Sequence, residues 1–223
     1  MKIDSIHSWN LTAAEAKEIQ IELAQKVVLE DNLPAEIKYV AGVDVGFEKE
    51  DRIAKAAISI LNFPELELVE ETSVRCETTF PYVPGYLSFR EIPPILTALQ
   101  QTSTNVDIIL CDGQGLAHPR RFGLACHLGV ILDVPTIGVA KSLFIGKHDP
   151  LGETRGSWVP LVDRGEKIGA VVRTRTGVKP LYISIGHKIS LPTAIELVLK
   201  CTPKYRLPET TRRADRRSKS EEN

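Results

Sequence analysis

The stretch Leu110-Cys-Asp-Gly-Gln-Gly-Leu-Ala-His-Pro-Arg-Arg-Phe-Gly123 decides the fold. Mostly apolar residues at 106–110 lead into it and read as a buried strand. The strand stops at Asp112 and breaks into a loop with Gly113, Gly115, His118, Pro119, Arg120 and Arg121. Residues 124–132 resume an apolar pattern at helical spacing, and 136–140 reads as a second strand. Strand, helix and strand in that order make a parallel β-α-β unit. A strand end holds a carboxylate still, glycines let backbone approach a ligand, and arginines supply charge. The combination suits a metal ion beside a phosphate. On these residues alone, a plain strand-to-helix turn capped by Asp112 is the alternative.

Upstream of this unit, residues 12–28 carry apolar side chains at helical spacing, and Thr12 with Glu15 forms a capping-box start. Residues 39–47, 54–61 and 66–74 read as three strands with short links, an antiparallel meander. A helix follows from Tyr86 toward Leu99, and Pro93-Pro94 must kink or restart it. Downstream, 157–162 and 167–173 flank Asp163-Arg164-Gly165-Glu166 as a hairpin, and 181–185 is a further strand. Helices are expected from Leu191 through Cys201 and from about Pro208 onward. The fold class is therefore α/β, a central mixed sheet in which an antiparallel meander precedes parallel strands, flanked by helices. No linker divides the 223 residues, so 1–223 reads as a single domain with a basic tail from about 212.

Composition narrows the function classes. A hydrophobic share of 43% is ordinary for a globular chain and leaves enough for a sizeable core. No apolar run approaches the roughly 20 residues that span a bilayer, and the N-terminus lacks an apolar signal core. A cytoplasmic protein with no membrane partner is expected. Cys76, Cys111, Cys126 and Cys201 are scattered with no Cys-x-x-Cys pair, which argues against zinc and against a disulfide framework. Net charge is −1, yet Lys204, Arg206, Arg212, Arg213, Arg216, Arg217 and Lys219 crowd the C-terminal end. Such a segment can contact phosphates while the rest of the chain stays acidic; for residues 218–223 a solvated tail is the simpler reading.

Four carboxylates fall at telling places on this map. Asp44 lies within the first strand, Glu91 on the helix after the meander, Asp112 at the end of the fourth strand, and Asp215 on the last helix. Asp within a strand is disfavoured, and a buried carboxylate needs a partner such as a divalent cation. Carboxylates grouped round one site attract hard cations such as Mg²⁺, which also bind phosphate oxygens. Lys141, just after the strand 136–140, could neutralise a phosphate in the transition state.

Taken together, Tyr39-Val-Ala-Gly-Val-Asp44, Phe80-Pro-Tyr-Val-Pro-Gly85, Leu87-Ser-Phe-Arg-Glu91, Asp112-Gly-Gln-Gly-Leu-Ala-His-Pro-Arg120, Gly138-Val-Ala-Lys-Ser142 and Arg206-Leu-Pro-Glu209 resemble endonuclease V. This is a family of repair nucleases acting on deoxyinosine, the product of adenine deamination. The resemblance runs from Trp9 to Asp215. It implies a ribonuclease H-like fold. It also implies that Asp44 and Asp112 bind Mg²⁺, with Mn²⁺ able to substitute, and that Glu91 completes the metal shell directly or through a water. By the same resemblance Tyr82 is a wedge entering the duplex beside the lesion, carried by Pro81, Val83 and Pro84. Two prolines stiffen that loop, so the ring is presented at little ordering cost. Gly85, Leu87, Gly113, Gly123 and Leu124 would line the pocket for the flipped base. His118 and Lys141 would sit near the backbone at the cut. Where this chain has Asp215, some members have His and others Asp.

The expected activity is that of a metal-dependent endodeoxyribonuclease of the deoxyribonuclease V type. It would nick the second phosphodiester 3′ to deoxyinosine, leave 3′-hydroxyl and 5′-phosphate ends, and work as a monomer. The offset of the cut is implied by the resemblance alone. Inosine-containing RNA and mismatched or branched DNA are alternative substrates. A non-catalytic reader of distorted duplex is a rival from another class, but such a reader gains nothing from Asp44, Glu91 and Asp112 together.

Overall fold

Thr12 opens the first helix as the capping box requires: its hydroxyl accepts from Glu15 N at 3.3 Å, and the Glu15 carboxylate accepts from Thr12 N at 2.8 Å. The computed structural model describes residues 6–48 and 50–220. In it this helix, α1, spans Ala13–Ala24 and stops short of residue 28. Tertiary pairing is the reason. Val28 N donates to His187 Nδ1 at 3.2 Å, and the Val28 carbonyl accepts from Lys188 N at 2.7 Å, so the chain is drawn out of the helix.

The meander follows as β1 (Tyr39–Glu48), β2 (Ile53–Asn62) and β3 (Leu68–Glu77), paired antiparallel in sequence order. Next come α2 (Leu87–Gln100), β4 (Ile108–Cys111), α3 (Leu124–Leu132) and β5 (Thr136–Ala140). Then β6 (Trp158–Asp163), β7 (Glu166–Val172), β8 (Leu181–His187), α4 (Leu191–Lys200) and α5 (Glu209–Lys219) complete the chain. Helix α2 continues through Pro93 and Pro94, so the prolines do not restart it. Its buried face carries Phe89, Ile92, Ile95 and Leu99. Four such side chains stabilise by roughly 1.5–3 kcal/mol each, against about 3 kcal/mol for each interior proline. The sheet therefore holds the helix together.

Among the described residues, eight strands form one mixed sheet in the order β3-β2-β1-β4-β5-β8-β7-β6. β1 with β4 and β4 with β5 run parallel, and the other pairs are antiparallel. This is the α/β, ribonuclease H-like arrangement that the resemblance implies. Alternate residues of β1 serve opposite faces. Ala41 and Val43 join the core under α2 and α3, whereas Val40 joins the core under α4. Gly42, Asp44 and Gly46 fall on the Val40 side, and α5 lies there. The parallel register sets Val43 opposite Cys111, and Cys111 opposite Gly138. The C-terminal ends of β4 and β5 therefore lie beside Asp44.

The basic segment from Arg212 is helical as far as Lys219, in place of a tail, because Thr210, Thr211, Ala214 and Ser218 bury one face of α5. Of the residues read as solvated, 221–223 lie outside the described residues, as do residues 1–5. Among the described residues no helix is long and apolar enough to cross a membrane.

Candidate active site

One strand, two strand ends and one helix meet at a cluster of charge. Asp44 comes from β1, Asp112 follows β4, Lys141 follows β5, and Asp215 projects from α5. Carboxylate oxygens of Asp44, Asp112 and Asp215 all lie within 4.8 Å of one another. Lys141 Nζ is in direct ion-pair contact with Asp112 and lies 3.2 Å from Asp215 Oδ1. Lys219 Nζ reaches the same Asp215 oxygen at 2.7 Å. Arg206 Nη2 donates to the Lys141 carbonyl at 2.7 Å and to Pro180 O at 2.8 Å, which pins the chain where β5 ends.

The electrostatics record three anions forced together. Burial, followed by the charges of Asp112 and Asp215, pushes Asp44 from 3.8 up to about 6, against the Ser218 hydrogen bond and Lys141. Burial works against the Lys141 ammonium, yet its bond with Asp112 and the charges of Asp112 and Asp215 hold its pKa above the ordinary value. Burial also opposes the ionised Asp215, but Lys219 and Lys141 outweigh it and hold that carboxyl below the ordinary range. A cation relieves such a cluster, and Lys141 already takes that part for two of the three carboxylates.

The donor set fits a hard divalent ion. Every converging ligand atom is a carboxylate oxygen, the preference of Mg²⁺ and Mn²⁺ and not of zinc. Their mutual spacing within 4.8 Å is on the scale of the oxygen–oxygen distances round such an ion. The converging set includes Asp215, which the sequence reading kept apart from its Asp44, Asp112 and Glu91 shell. Glu91 is only 8% exposed within α2. Burial, with Asp44 and Asp112 adding to it, holds its carboxyl well above the ordinary range. Glu91 thus adjoins the cluster without converging on its three ligand oxygens.

A pocket of about 290 Å³ opens next to these groups. Gly85, Leu87, Gly113, Gly123 and Leu124 all line it, together with Tyr82, Val83, Pro84 and His118. Gly85 has φ +83°, and a side chain there would come within 2.9 Å of Arg120 Nη2. Its carbonyl accepts from Arg120 Nη2 at 2.6 Å, Gln20 Nε2 at 3.1 Å and His118 Nε2 at 3.1 Å. His118 Nδ1 accepts from Arg120 N at 3.2 Å, so the proton sits on Nε2. Burial and the Arg120 charge push His118 down to about 4, which keeps it neutral. His118 therefore braces the pocket wall. Tyr82 is 67% exposed at the rim, and Pro81 and Pro84 beside it are exposed as well. A tyrosine packed into the base of its loop would be hidden; this ring is displayed.

Several lining groups escaped the sequence reading. Gln20 reaches in from α1, Ser88 from α2, and Gln114, Ser142 and Phe144 from loops. Phe144 is partly exposed and its ring lies 5.7 Å from that of His118. An aromatic three residues beyond Lys141 was the available signal. Gln20 carried none, because a polar residue within an amphipathic helix reads as surface.

The sequence profile described as Endonuclease V matches residues 21–216. An Endonuclease V of a Nostoc species is 61% identical over 216 residues, which cover 97% of this chain and 98% of that one. The crystal structure of the Streptomyces avermitilis Endonuclease V superposes with a TM-score of 0.90 at 45% identity, covering 95% of this chain and 93% of that one. The Ciona intestinalis Endonuclease V (D234N), crystallised with a 23mer DNA containing an inosine followed by a ribo-adenosine, superposes with a TM-score of 0.84 at 33% identity, covering 93% and 97%. The matched span takes in the carboxylate cluster and almost the whole pocket lining, on the same fold. The chain belongs to the endonuclease V family.

Proposed function

We propose that the protein is a DNA repair endonuclease. It recognises deoxyinosine and hydrolyses the second phosphodiester bond 3′ to it, leaving 3′-hydroxyl and 5′-phosphate ends. The observation that carries this reading is the junction of Asp112 and Gly113. One residue belongs to the carboxylate cluster and the next to the glycine-walled pocket. A base held in that pocket keeps its own strand close to the charged groups. The inosine-bearing DNA on the Ciona relative supports the choice of base.

Asp44, Asp112 and Asp215 would hold Mg²⁺, or Mn²⁺ in its place, with Glu91 at their border. Bound there, the ion lowers the pKa of a water and offsets charge on the phosphate. The side chains of this chain do the rest. Lys141, paired with Asp112 and Asp215, would place its ammonium beside a phosphate held at the cluster and offset its charge. Tyr82 fills the gap left in the stack when the base leaves it, with Pro81, Val83 and Pro84 holding the ring out. His118, Gln20 and Arg120 fix the Gly85 peptide. Gly85, Leu87, Gly113, Gly123 and Leu124 then enclose the base without crowding it.

Residues 1–223 would act as one domain and as a monomer, since one chain supplies every group named. We place it in the cytoplasm. Three of its scattered cysteines, Cys111, Cys126 and Cys201, are buried as apolar side chains whose thiols burial holds in the protonated form.

Inosine-containing RNA is the second reading, favoured by the ribo-adenosine after the inosine in the Ciona complex. One experiment tests both. End-labelled DNA and RNA duplexes, with and without inosine, are incubated with Mg²⁺ or with EDTA and the cut is mapped. Expected is a Mg²⁺-dependent nick at the second bond 3′ to deoxyinosine. Cutting that ignores inosine or survives EDTA overturns the proposal, and cutting confined to the RNA duplex installs the second reading.

A further inference from the structure

Ser218 is 3% exposed and lies three residues after Asp215, on the same face of α5. Its Oγ donates to Asp44 Oδ2 at 2.5 Å. The same Oγ stands 3.0 Å from the Asp215 carbonyl. A hydroxyl has one proton, and an anionic carboxylate outcompetes a peptide carbonyl for it.

Three features set the depth and register of α5 against β1. Gly42 and Gly46 flank Asp44 on the strand face that α5 covers. A side chain at Gly42 would come within 2.2 Å of the Thr210 backbone, and one at Gly46 within 3.2 Å of the Ser218 carbonyl. Only bare strand lets the helix lie this close. At the far end, the fully buried Lys55 donates from Nζ to the Ser220 carbonyl, just past the last turn. A cation at a helix C-terminus meets the negative end of the helix dipole. The hydroxyl of Ser218 is thereby delivered to one oxygen of Asp44.

We propose that Ser218 is a positioning residue for the metal centre: by occupying Oδ2 it fixes the Asp44 carboxylate so that Oδ1 is presented to the ion. The proposal rests on the reading of Asp44 as a metal ligand. It assigns Ser218 no contact with nucleic acid. Groups that orient metal ligands in this way typically change metal affinity or activity by 10–100-fold when removed.

The test measures metal binding without DNA and without turnover. Mn²⁺ is titrated into the full-length protein and free ion is read by electron paramagnetic resonance, for wild type, Ser218→Ala, Ser218→Cys, Ser218→Thr and Asp44→Asn. Ser218→Cys keeps volume but donates weakly, and Ser218→Thr keeps the hydroxyl. Expected is a dissociation constant raised at least tenfold in Ser218→Ala and Ser218→Cys, with Ser218→Thr within about threefold of wild type. Wild-type Mn²⁺ binding by both Ser218→Ala and Ser218→Cys overturns the proposal. So does an equal loss in all three Ser218 variants that tracks their melting temperatures, since that is a packing effect. Wild-type Mn²⁺ binding by Asp44→Asn defeats the metal-ligand reading instead, which separates the two failures.

Discussion

Changing Asp44 to Asn removes a charge that the fold holds at a cost in stability. Burial and the neighbouring Asp112 and Asp215 lift its pKa from 3.8 to about 6. Each pKa unit corresponds to about 1.4 kcal/mol, so the ionised carboxylate opposes folding by about 3 kcal/mol relative to the protonated one. The Ser218 bond and Lys141 are already included in that net figure. Asn has nearly the same shape and no charge, but it places an amide where an acceptor oxygen stood. We expect Asp44→Asn to be more stable by about 1–3 kcal/mol at pH 7.5 in EDTA. For a chain of this size that is roughly 2–12 °C in melting temperature. The sign fixes the pH dependence. A carboxyl whose folded pKa is raised carries no penalty below about pH 4, an increasing one between pH 4 and 6, and the full one above. The gap between variant and wild type should therefore close as pH falls from 6 to 4. Mg²⁺ should act the other way, stabilising wild type more than the variant, while nicking is lost. Thermal melts at pH 7.5, 6, 5 and 4, with EDTA and with Mg²⁺, measure all of this. A variant that melts below wild type in EDTA at pH 7.5, or a gap unchanged down to pH 4, refutes the reasoning.

Tyr82→Ala should weaken binding to inosine duplexes by about tenfold to a hundredfold, because base–aromatic stacking contributes roughly 1–3 kcal/mol, whereas Tyr82→Phe keeps the ring and should be near neutral. Binding isotherms check this, and a Tyr82→Ala protein that loses thermal stability but keeps its lesion preference would place the ring in the core. Asp215→His should retain substantial nicking and Asp215→Ala should lose more, since the first keeps a metal-binding group within the cluster; equal rates in all three forms would make Asp215 a helix surface residue. Charge reversal at Arg216 and Arg217 should lower duplex affinity and flatten its salt dependence if this helix tracks phosphates, and an unchanged salt slope would remove it from the interface.

Much of this was legible in the chain because strand and helix periods were clean. Residues 39–47 match β1 to within a residue, and 136–140 matches β5 at both ends. Asp44, Asp112 and Lys141 could be located because each terminates or interrupts an apolar run. The failures share a cause, namely contacts between residues far apart in sequence. Helix α1 ends early because Val28 pairs with Lys188, and α2 survives two prolines because the sheet packs against it. Ser218 read as a solvated residue in a basic run. Only the docking of α5 across Gly42 and Gly46 reveals that it faces Asp44. The membership of Asp215 in the converging carboxylates depends on the same docking.

The site has a further property that follows from where its two halves join. Asp112 and Gly113 are neighbours, and so are Lys141 and Ser142. In each pair the first residue belongs to the charged cluster and the second lines the pocket. Leu87 and Glu91, four residues apart on α2, repeat the division along one helical turn. Consecutive α-carbons stand about 3.8 Å apart, so three rigid elements fix the separation between pocket and carboxylates. Under the proposed function, that separation makes the distance from lesion to cut a property of the sheet, whereas choice of lesion rests with Tyr82 on its own proline-flanked loop. Selection and hydrolysis are then separable by mutation: changes at Tyr82 act on which duplex is held, and changes at Asp44 or Asp112 act on whether the held strand is cut.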